Sequence, residues 1–375
     1  MNNVFCKVHR RLLAATCSAA LLISASTGAS ACTSFVIKAK DDGRVYGRTM
    51  EFGFETESTV SMVPRGFEFT ATTGLSDPMV WQAKYAVIGM NAIKDDTMIV
   101  DGINEEGLAG GALYFPGFAS YPEPTQDKAS SSLGPLNFLA WVLTSFATVD
   151  EVRDALASVQ IVAIENTELK EVPPLHFTLH DRSGKSIVIE PVNGELKVYD
   201  NPLGVMTNSP GFDWHLINLR NYVNLSPVNA GEKQVLDGEV VSLGQGSGML
   251  GLPGDSTPPS RFVRASAFVS TVEMRETAEE NLHVATHMLN NFDIPKGFIR
   301  PNAEKAVAPE LPDYTQWSVM ANLEDATYFV RDQDALSFNS VSFDDFDLDG
   351  SAIRSLVPPT TDPFEPLVKA EGSRP

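Results

Sequence analysis

Cysteine and basic residues are both scarce in this 375-residue chain. It has three cysteines, and its 28 Lys and Arg stand against 48 Asp and Glu, which gives a formal net charge of -20. Such a charge excludes a nucleic-acid partner, because binding phosphates needs a basic surface. It also opposes binding to an anionic membrane. No segment after the N-terminal region approaches the roughly eighteen apolar residues of a membrane span, so we expect no stable membrane insertion.

The rest of the composition is typical of a folded protein with a large core. Hydrophobic residues make up 43% of the chain and charged residues only 20%, which disfavours disorder. The length permits one large domain or two ordinary ones. Because the sequence shows neither an internal repeat nor a long linker, we predict a single domain over residues 32–375.

The first 31 residues have the pattern of an export signal. Three basic residues precede a mostly apolar stretch from residue 12 to residue 24, and Ala29–Ala31 (ASA) matches a cleavage site. We therefore predict a signal peptide over residues 1–31 and a mature protein that is periplasmic or secreted. The other two cysteines lie inside this segment, so the mature chain keeps Cys32 alone, at its N-terminus.

A lone cysteine cannot form an internal disulfide, and three explanations remain for Cys32. The first is an incidental residue. The second is a lipoprotein anchor, although that signal normally has an aliphatic residue three positions earlier, where this chain has Ala29. The third is a catalytic thiol that uses its own α-amine as base, since an α-amine titrates near pH ~8. The position directly after the cleavage site favours the third.

Hydrophobic periodicity predicts strands at both ends of the mature chain and helices between them. Residues 34–39 and 45–52 alternate around the turn Asp41–Gly43, which predicts a hairpin that begins at Cys32. Helices are predicted over 136–146, over 213–223 and, with breaks, from 260 to 291. A short helix that ends at residue 156 is also predicted, with Asp150 as its cap. Further strands are predicted over 98–103, 108–115, 176–180, 186–191, 195–199, 317–323, 327–331 and 336–346. This order indicates a layered α+β fold.

Six short motifs occur in order along the mature chain. They are Ala31–Ser34 (ACTS), Gly47–Phe52 (GRTMEF), Asp101–Leu108 (DGINEEGL), Leu113–Gly117 (LYFPG), Met206–Pro210 (MTNSP) and Leu252–Pro258 (LPGDSTP) with Arg261. Together they resemble the choloylglycine hydrolase family, which joins bile salt hydrolases and penicillin V acylases. The resemblance covers nearly all of the mature chain. It implies an N-terminal nucleophile (Ntn) hydrolase whose fold is a four-layer αββα sandwich of antiparallel sheets.

The resemblance assigns catalytic roles near the N-terminus. Cys32 matches the nucleophile, and its α-amine matches the base that activates the thiol and later protonates the leaving amine. Arg48 lies on the return strand of the hairpin, where a guanidinium stabilises a thiolate. Glu51 stands where the family usually has an Asp that holds the N-terminal amine. It keeps the charge and is one methylene longer.

Three later residues complete the expected site. Asn208 is the candidate side-chain donor of an oxyanion hole, which stabilises the tetrahedral intermediate. Tyr114 matches the position whose backbone N–H is the second donor. Bile salt hydrolases resemble one another in having Asn there, so Tyr favours the penicillin V acylase side of the family. Arg261 resembles the family's active-site arginine.

Aromatic residues beside these motifs predict an apolar acyl-binding pocket. The candidates are Phe52, Phe54, Phe115 and Phe118, because aromatic rings suit a phenoxyacetyl or fatty acyl group. We predict an exported amidohydrolase that cleaves the linear amide of N-acyl substrates, resembling penicillin V acylase, with N-acyl homoserine lactones as further candidate substrates. A conjugated bile acid hydrolase is the alternative within the family.

Two other kinds of protein remain open. A Cys–His hydrolase would use an internal thiol with His176, His180 or His215 as base. An exported lipoprotein or acyl-compound-binding protein would catalyse no reaction. We predict no cofactor and no metal site, since His283 and His287 have ligand-like spacing but no further ligand. The resemblance also implies a homo-oligomer, with a tetramer as the expected state.

Overall fold

The computed structural model describes residues 31–300 and 311–360. The predicted signal peptide lies outside this part of the chain, except for Ala31. The described residues contain nineteen β-strands and five α-helices. None of the helices in these two ranges has the length and apolar character needed to cross a bilayer.

The strands are numbered in chain order. They are β1 (Thr33–Lys38), β2 (Arg44–Phe52), β3 (Val60–Val63), β4 (Glu68–Thr70), β5 (Val80–Gln82), β6 (Val87–Ala92), β7 (Asp95–Asn104), β8 (Ala109–Tyr114), β9 (Ser132–Leu133), β10 (Gln160–Ile161), β11 (Leu175–His180), β12 (Ser186–Val192), β13 (Glu195–Asp200), β14 (Lys233–Val235), β15 (Gly238–Val240), β16 (Tyr314–Asn322), β17 (Thr327–Asp332), β18 (Asn339–Val341) and β19 (Arg354–Leu356).

Helices fill much of the remaining chain. The α-helices are α1 (Phe138–Ser145), α2 (Val149–Ala155), α3 (Phe212–Asn218), α4 (Pro258–Thr271) and α5 (Ala278–Leu289). Short 3-10 helices cover Gln126–Ser131, Leu156–Ser158, Leu219–Tyr222, Ser247–Met249 and Phe343–Asp345.

Two antiparallel sheets form the centre of the molecule. The small sheet has five strands in the order β1-β2-β16-β17-β18, and the large sheet has eight in the order β13-β12-β11-β8-β7-β6-β3-β19. One apolar cluster joins residues of both sheets, with Phe35 and Val319 from the small sheet and Ile88 and Leu113 from the large sheet. The two sheets therefore stack face to face over a shared core.

Helices cover the outer face of each sheet. Helices α4 and α5 pack on β1, β2 and β16 of the small sheet, and α1 packs on β7 and β8 of the large sheet. A second apolar cluster fills the space between α1 and the large sheet, with Phe138 and Leu139 against Phe177. The four layers are helix, sheet, sheet and helix, so the predicted αββα sandwich is confirmed.

The predicted N-terminal hairpin is also confirmed. Strands β1 and β2 pair with Thr33 opposite Thr49 and Ser34 opposite Arg48. On its other side β2 pairs with β16, so β1 is the edge strand of the small sheet. A two-way backbone bridge then joins Ser34 to Met206, with N–O distances of 2.8 and 3.0 Å. Cys32 therefore begins an edge strand that is held on both sides.

Two local predictions are wrong in detail. Asp150 does not cap α2, because the Thr148 side chain accepts the N–H of Glu151 at 3.2 Å and Asp150 lies in the first turn. The strand predicted over 336–346 is reduced to β18. The chain leaves the sheet there because Ser342 forms a capping box at the start of a 3-10 helix.

Candidate active site

The Cys32 side chain is buried beside the first hairpin, with 1% of its surface exposed. Its Sγ lies 3.6 Å from Sδ of Met50 and 3.7 Å from Nη2 of Arg48. Arg48 and Met50 are two residues apart on β2, so their side chains point to the same face of the strand. The β1–β2 register thus places a guanidinium beside the thiol, as the sequence predicted.

Arg48 is held where β7 and β8 separate. These two strands pair only as far as Asp101 opposite Gly111. Beyond that point the Arg48 guanidinium enters the gap and donates from Nη1 to the Val100 carbonyl at 2.6 Å and from Nη2 to the Ala112 carbonyl at 2.7 Å. A side chain from the small sheet is therefore fixed by backbone groups of the large sheet.

Asp101 compensates the charge of Arg48. Its Oδ2 lies 3.1 Å from Arg48 Nη1, and its two oxygens accept the hydroxyls of Tyr46 at 2.6 Å and Tyr328 at 2.8 Å. Burial by itself would lower the pKa of Arg48, but Cys32 and Asp101 together raise it above its ordinary value. Arg48 therefore stays charged beside the Cys32 sulfur.

Glu51 lies on the same strand and is fully buried. Its Oε1 accepts the hydroxyl of Thr315 at 2.8 Å. Burial raises the pKa of Glu51 to about 8, against the opposing effects of Arg261 and Thr315. A positive group brought next to this carboxyl would favour its ionised form.

Arg261, on α4, links Cys32 to Asn208. It donates from Nη1 to the Cys32 carbonyl oxygen and to Thr33 Oγ1, the latter at 2.7 Å, and from Nη2 to Asn208 Oδ1 at 2.6 Å. Burial lowers its pKa to about 10, with Glu51 and Cys32 opposing that change. The structure therefore brings Cys32, Arg48, Glu51, Asn208 and Arg261 into one buried network.

The Asn208 amide lies against the end of β8. Its Nδ2 donates to the Tyr114 carbonyl at 2.8 Å. The Phe115 N–H points toward β11 and donates to the Pro174 carbonyl. Backbone groups of consecutive strand residues point to opposite edges, so the N–H and C=O of Tyr114 point away from β11. Since the N–H and C=O of one strand residue share an edge, the Asn208 amide and the Tyr114 N–H lie on the same edge of β8.

A pocket opens beside Cys32. Its walls are Cys32, Met50, Phe52, Phe54, Thr56, Ala92, Ile93, Val100, Ala112, Tyr114, Leu136, Leu169, Pro173 and Leu175. The Phe52 ring contacts the rings of Phe54 and Tyr114 edge-on, with centroids 4.8 and 5.7 Å apart. The Tyr114 hydroxyl donates to Glu171 Oε1 at 2.7 Å. The nucleophile candidate therefore faces a mainly apolar cavity, as predicted.

Phe115 and Phe118 are not among the residues that line this pocket. Phe115 is completely buried and stacks on the His176 ring at 4.2 Å, while Phe118 stacks on Phe115 at 5.5 Å and is 44% exposed. Side chains alternate along β8 and its continuation, so Phe115 faces the opposite side from Tyr114. Of the four predicted acyl-binding residues, Phe52 and Phe54 line this pocket and Phe115 and Phe118 do not.

The three histidines that a Cys–His hydrolase would need are engaged elsewhere. His180 has Thr178 and Ser186 as partners of its two nitrogens, at 3.0 and 2.8 Å. His176 and His215 bond to the backbone around Asn208. Burial lowers the pKa of all three. Within the described ranges, no group of three or more His, Cys, Asp or Glu residues is arranged to hold a metal ion.

Sequence reasoning missed Met50 and Asp101 as parts of the site. Met50 was detectable, because it shares its face of β2 with Arg48 and Phe52. Asp101 lies in a motif that the sequence singled out, but its pairing with Arg48 depends on the stacking of the two sheets. Leu169 and Pro173 belong to a loop between β10 and β11, and no periodicity marks them as pocket residues.

Comparisons with known proteins agree with this geometry. The family model for linear amide C–N hydrolases of the choloylglycine hydrolase family matches residues 32–355. The chain is 35% identical to a bile salt hydrolase/transferase from Clostridium perfringens, over 86% of this chain and 96% of that protein. It is 26% identical to a penicillin V acylase from Pectobacterium atrosepticum, over 86% of this chain and 84% of that one.

Solved structures give the same result. A cysteine-to-alanine mutant and an arginine-to-leucine variant of the conjugated bile acid hydrolase from Clostridium perfringens each superpose with a TM-score of 0.79 at 33% identity. The match covers 90% of this chain and all of those chains. The chain is therefore an enzyme of the choloylglycine hydrolase family, whose members are hydrolases of linear amide C–N bonds.

Proposed function

We propose that this enzyme hydrolyses the amide of N-acyl compounds with Cys32 as the N-terminal nucleophile. The observation that carries the proposal is the position of Cys32 in the pocket wall, with its sulfur 3.7 Å from Arg48 Nη2. The two variants of the Clostridium perfringens enzyme also support it, because their replaced cysteine and arginine are sixteen positions apart. Cys32 and Arg48 have the same separation.

The reaction begins when removal of residues 1–31 frees the Cys32 α-amine. This amine takes the thiol proton, and Arg48 stabilises the thiolate. The sulfur attacks the amide carbon, and the carbonyl oxygen becomes an oxyanion that accepts from the Asn208 amide and the Tyr114 N–H. The C–N bond then breaks, and the leaving amine takes the proton from the α-ammonium.

Water completes the cycle. The α-amine removes a proton from a water molecule, which attacks the thioester at its carbonyl carbon. The C–S bond breaks, the acid leaves and the thiol is restored. Glu51 balances the α-ammonium during both steps, since an adjacent positive charge keeps a carboxyl ionised.

The pocket favours an apolar acyl group, and conjugated bile acids are the first substrate class that we propose. Identity to the bile salt hydrolase/transferase is 35%, against 26% for the penicillin V acylase. This difference in identity favours a conjugated bile acid hydrolase, the alternative in the sequence analysis, over an enzyme resembling penicillin V acylase, which was the main prediction. Phenoxyacetyl substrates such as penicillin V are the second class. They are favoured by Tyr114, whose ring and hydrogen bond to Glu171 take up space in the pocket.

A homo-oligomer is part of the proposal. Residues 226–248 form an arm that is closed at its base by the bond from the Ser226 N–H to the Gly248 carbonyl. The hairpin β14–β15 within it is exposed at every residue. Leu236 and Leu243 are almost completely exposed, and apolar side chains in such a position fit contact with a second copy of the chain.

We also propose export, from the signal-like pattern of residues 1–31.

Turnover of a substrate panel tests the proposal. Mature enzyme, with an intact mass that starts at unmodified Cys32, is assayed with a glycine-conjugated bile acid, penicillin V and N-acyl homoserine lactones. We expect hydrolysis of at least one class, and loss of that activity in Cys32→Ser with unchanged thermal unfolding. Wild-type turnover by Cys32→Ser, or no hydrolysis of any panel member, would contradict the assignment.

A further inference from the structure

Two buried histidines bond to consecutive carbonyls around Asn208. His176 Nε2 lies 3.0 Å from the Thr207 oxygen, and His215 Nε2 lies 2.9 Å from the Asn208 oxygen. A carbonyl oxygen only accepts, so each Nε2 carries a hydrogen. The two carbonyls belong to the peptide groups that flank the Asn208 Cα. Both peptide planes next to this residue are therefore fixed by imidazole donors.

Each imidazole is itself held by an aromatic ring that follows another site residue. His176 stacks on Phe115, the residue after Tyr114, with centroids 4.2 Å apart and planes within 8°. His215 stacks on Phe262, the residue after Arg261, with centroids 4.6 Å apart and planes within 16°. The Asn208 backbone is therefore linked, through the two stacked pairs of rings, to the neighbours of Tyr114 and Arg261. These two residues are the hydrogen-bond partners of the Asn208 side chain.

Glu190 connects the two histidines. Its Oε1 lies 3.4 Å from His176 Nδ1 and accepts the Phe212 N–H at 2.8 Å. Phe212 is the first residue of α3, and His215 lies one turn later on that helix. His176 and Glu190 are 2% and 1% exposed. Glu190, on β12, therefore contacts both His176 and the start of the helix that carries His215.

We propose that His176 and His215 are positioning residues for Asn208, an inference that rests on the oxyanion role of Asn208 in the proposed function. Neither ring is among the groups that line the pocket, so neither is expected to touch the substrate. Their effect is on the direction of the Asn208 amide. An oxyanion donor acts only when it is aimed at the oxygen of the transition state, and small displacements of such groups are costly.

Phenylalanine and glutamine replacements test this idea. His176→Phe and His215→Phe keep a ring for stacking and remove the donor, and we expect kcat to fall about 10- to 100-fold, with KM changed less than about threefold. His215→Gln places an amide N–H near the former Nε2 and should recover most of kcat. His215→Asn, whose amide is too short to reach, should not. The comparison of His215→Gln with His215→Asn keeps the test valid even when a phenylalanine variant does not fold.

His180→Phe is the matched control. His180 is equally buried, but its partners are Thr178 and Ser186. We expect it to change stability without lowering kcat. The alkylation rate of Cys32 by iodoacetamide should be unchanged in all three His215 variants, because thiolate formation does not need the oxyanion donor. Equal losses of kcat in His180→Phe and His215→Phe would show a purely structural effect and overturn the proposal.

A double-mutant cycle separates this proposal from the proposed function. In an Asn208→Ala background, adding His215→Phe should lower kcat by less than about twofold, because the donor that His215 positions is already gone. Equal effects of His215→Phe in the two backgrounds would overturn the positioning role. If Asn208→Ala alone leaves kcat unchanged, the oxyanion role itself fails. The substrate is the panel member that the wild-type enzyme turns over fastest.

Discussion

Arg48 and Asp101 form an ion pair in which neither side chain is exposed, with 3.1 Å between Nη1 and Oδ2. Arg48 lies on the small sheet and Asp101 on the large sheet, so the pair joins the two sheets beside Cys32. The tyrosines that support Asp101 come from two further points on the small sheet. The charged group beside the Cys32 sulfur is therefore also part of the core.

Removing one partner of this pair should destabilise the fold. Arg48→Leu leaves the Asp101 carboxylate buried without its cation, and we expect the free energy of unfolding to fall by about 3–5 kcal/mol, measured by urea denaturation. Arg48→Leu combined with Asp101→Leu should recover part of the loss. Lys40→Leu, which removes an exposed ion pair with Glu276, is the control and should leave the urea midpoint unchanged. A midpoint equally unchanged in Arg48→Leu would contradict the prediction.

The position of the α-amine should decide activity. A chain that begins at Ala31 instead of Cys32 converts the base into an amide nitrogen, which cannot accept the thiol proton. We expect its kcat to fall at least about 100-fold, while circular dichroism remains unchanged. Intact mass must verify each N-terminus. Undiminished turnover with Ala31 retained would exclude the α-amine as the base.

The aromatic residues around the pocket should separate into two groups. Phe54→Ala removes a ring that lines the cavity, and we expect kcat/KM for an apolar acyl substrate to fall about 10- to 100-fold, corresponding to the ~1.5–3 kcal/mol of a buried aromatic contact. Phe118→Ala, at a half-exposed ring outside the pocket, is the matched control and should stay within about twofold of wild type. Equal losses in the two variants would refute this description of the pocket.

Glu51 should give the uncleaved chain a distinct dependence of stability on pH. Its pKa rises from the usual 4.5 to about 8 on burial, so the folded state binds a proton that the unfolded state has released between these values. The free energy of unfolding should therefore decrease as the pH rises from about 4.5 to about 8. Glu51→Gln lacks this titration. Urea denaturation from pH 5 to pH 9 measures the difference, and identical pH profiles for the two chains would count against it.

The exposed arm should control assembly. Leu236→Ser combined with Leu243→Ser removes apolar surface from the arm, and we expect the molar mass from light scattering to fall to that of a smaller species. Val80→Ser replaces an exposed apolar residue outside the arm and is the control. The arm prediction fails when the double variant and the wild type have the same mass at matched concentrations.

The local pattern of apolar and polar residues was sufficient to predict much of the fold. The hairpin β1–β2 was predicted because its residues alternate around a turn. Strand β6 was not predicted, because it is buried on both faces and its sequence therefore lacks alternation. Residues 336–346 alternate like a strand, but the side chain of Ser342 can cap a helical turn, and that local hydrogen bond ends the strand.

The residue types and spacing by themselves determined which groups could do the chemistry. A cysteine after a predicted cleavage site, an arginine sixteen residues later and an asparagine in a turn can be recognised from residue chemistry and motifs alone. Which of these groups touch was decided by the tertiary structure. The Arg48–Asp101 pair joins residues 53 positions apart on different sheets, and His176 lies 31 positions from the Thr207 carbonyl to which it donates. Such contacts arise from sheet stacking, which no local periodicity encodes.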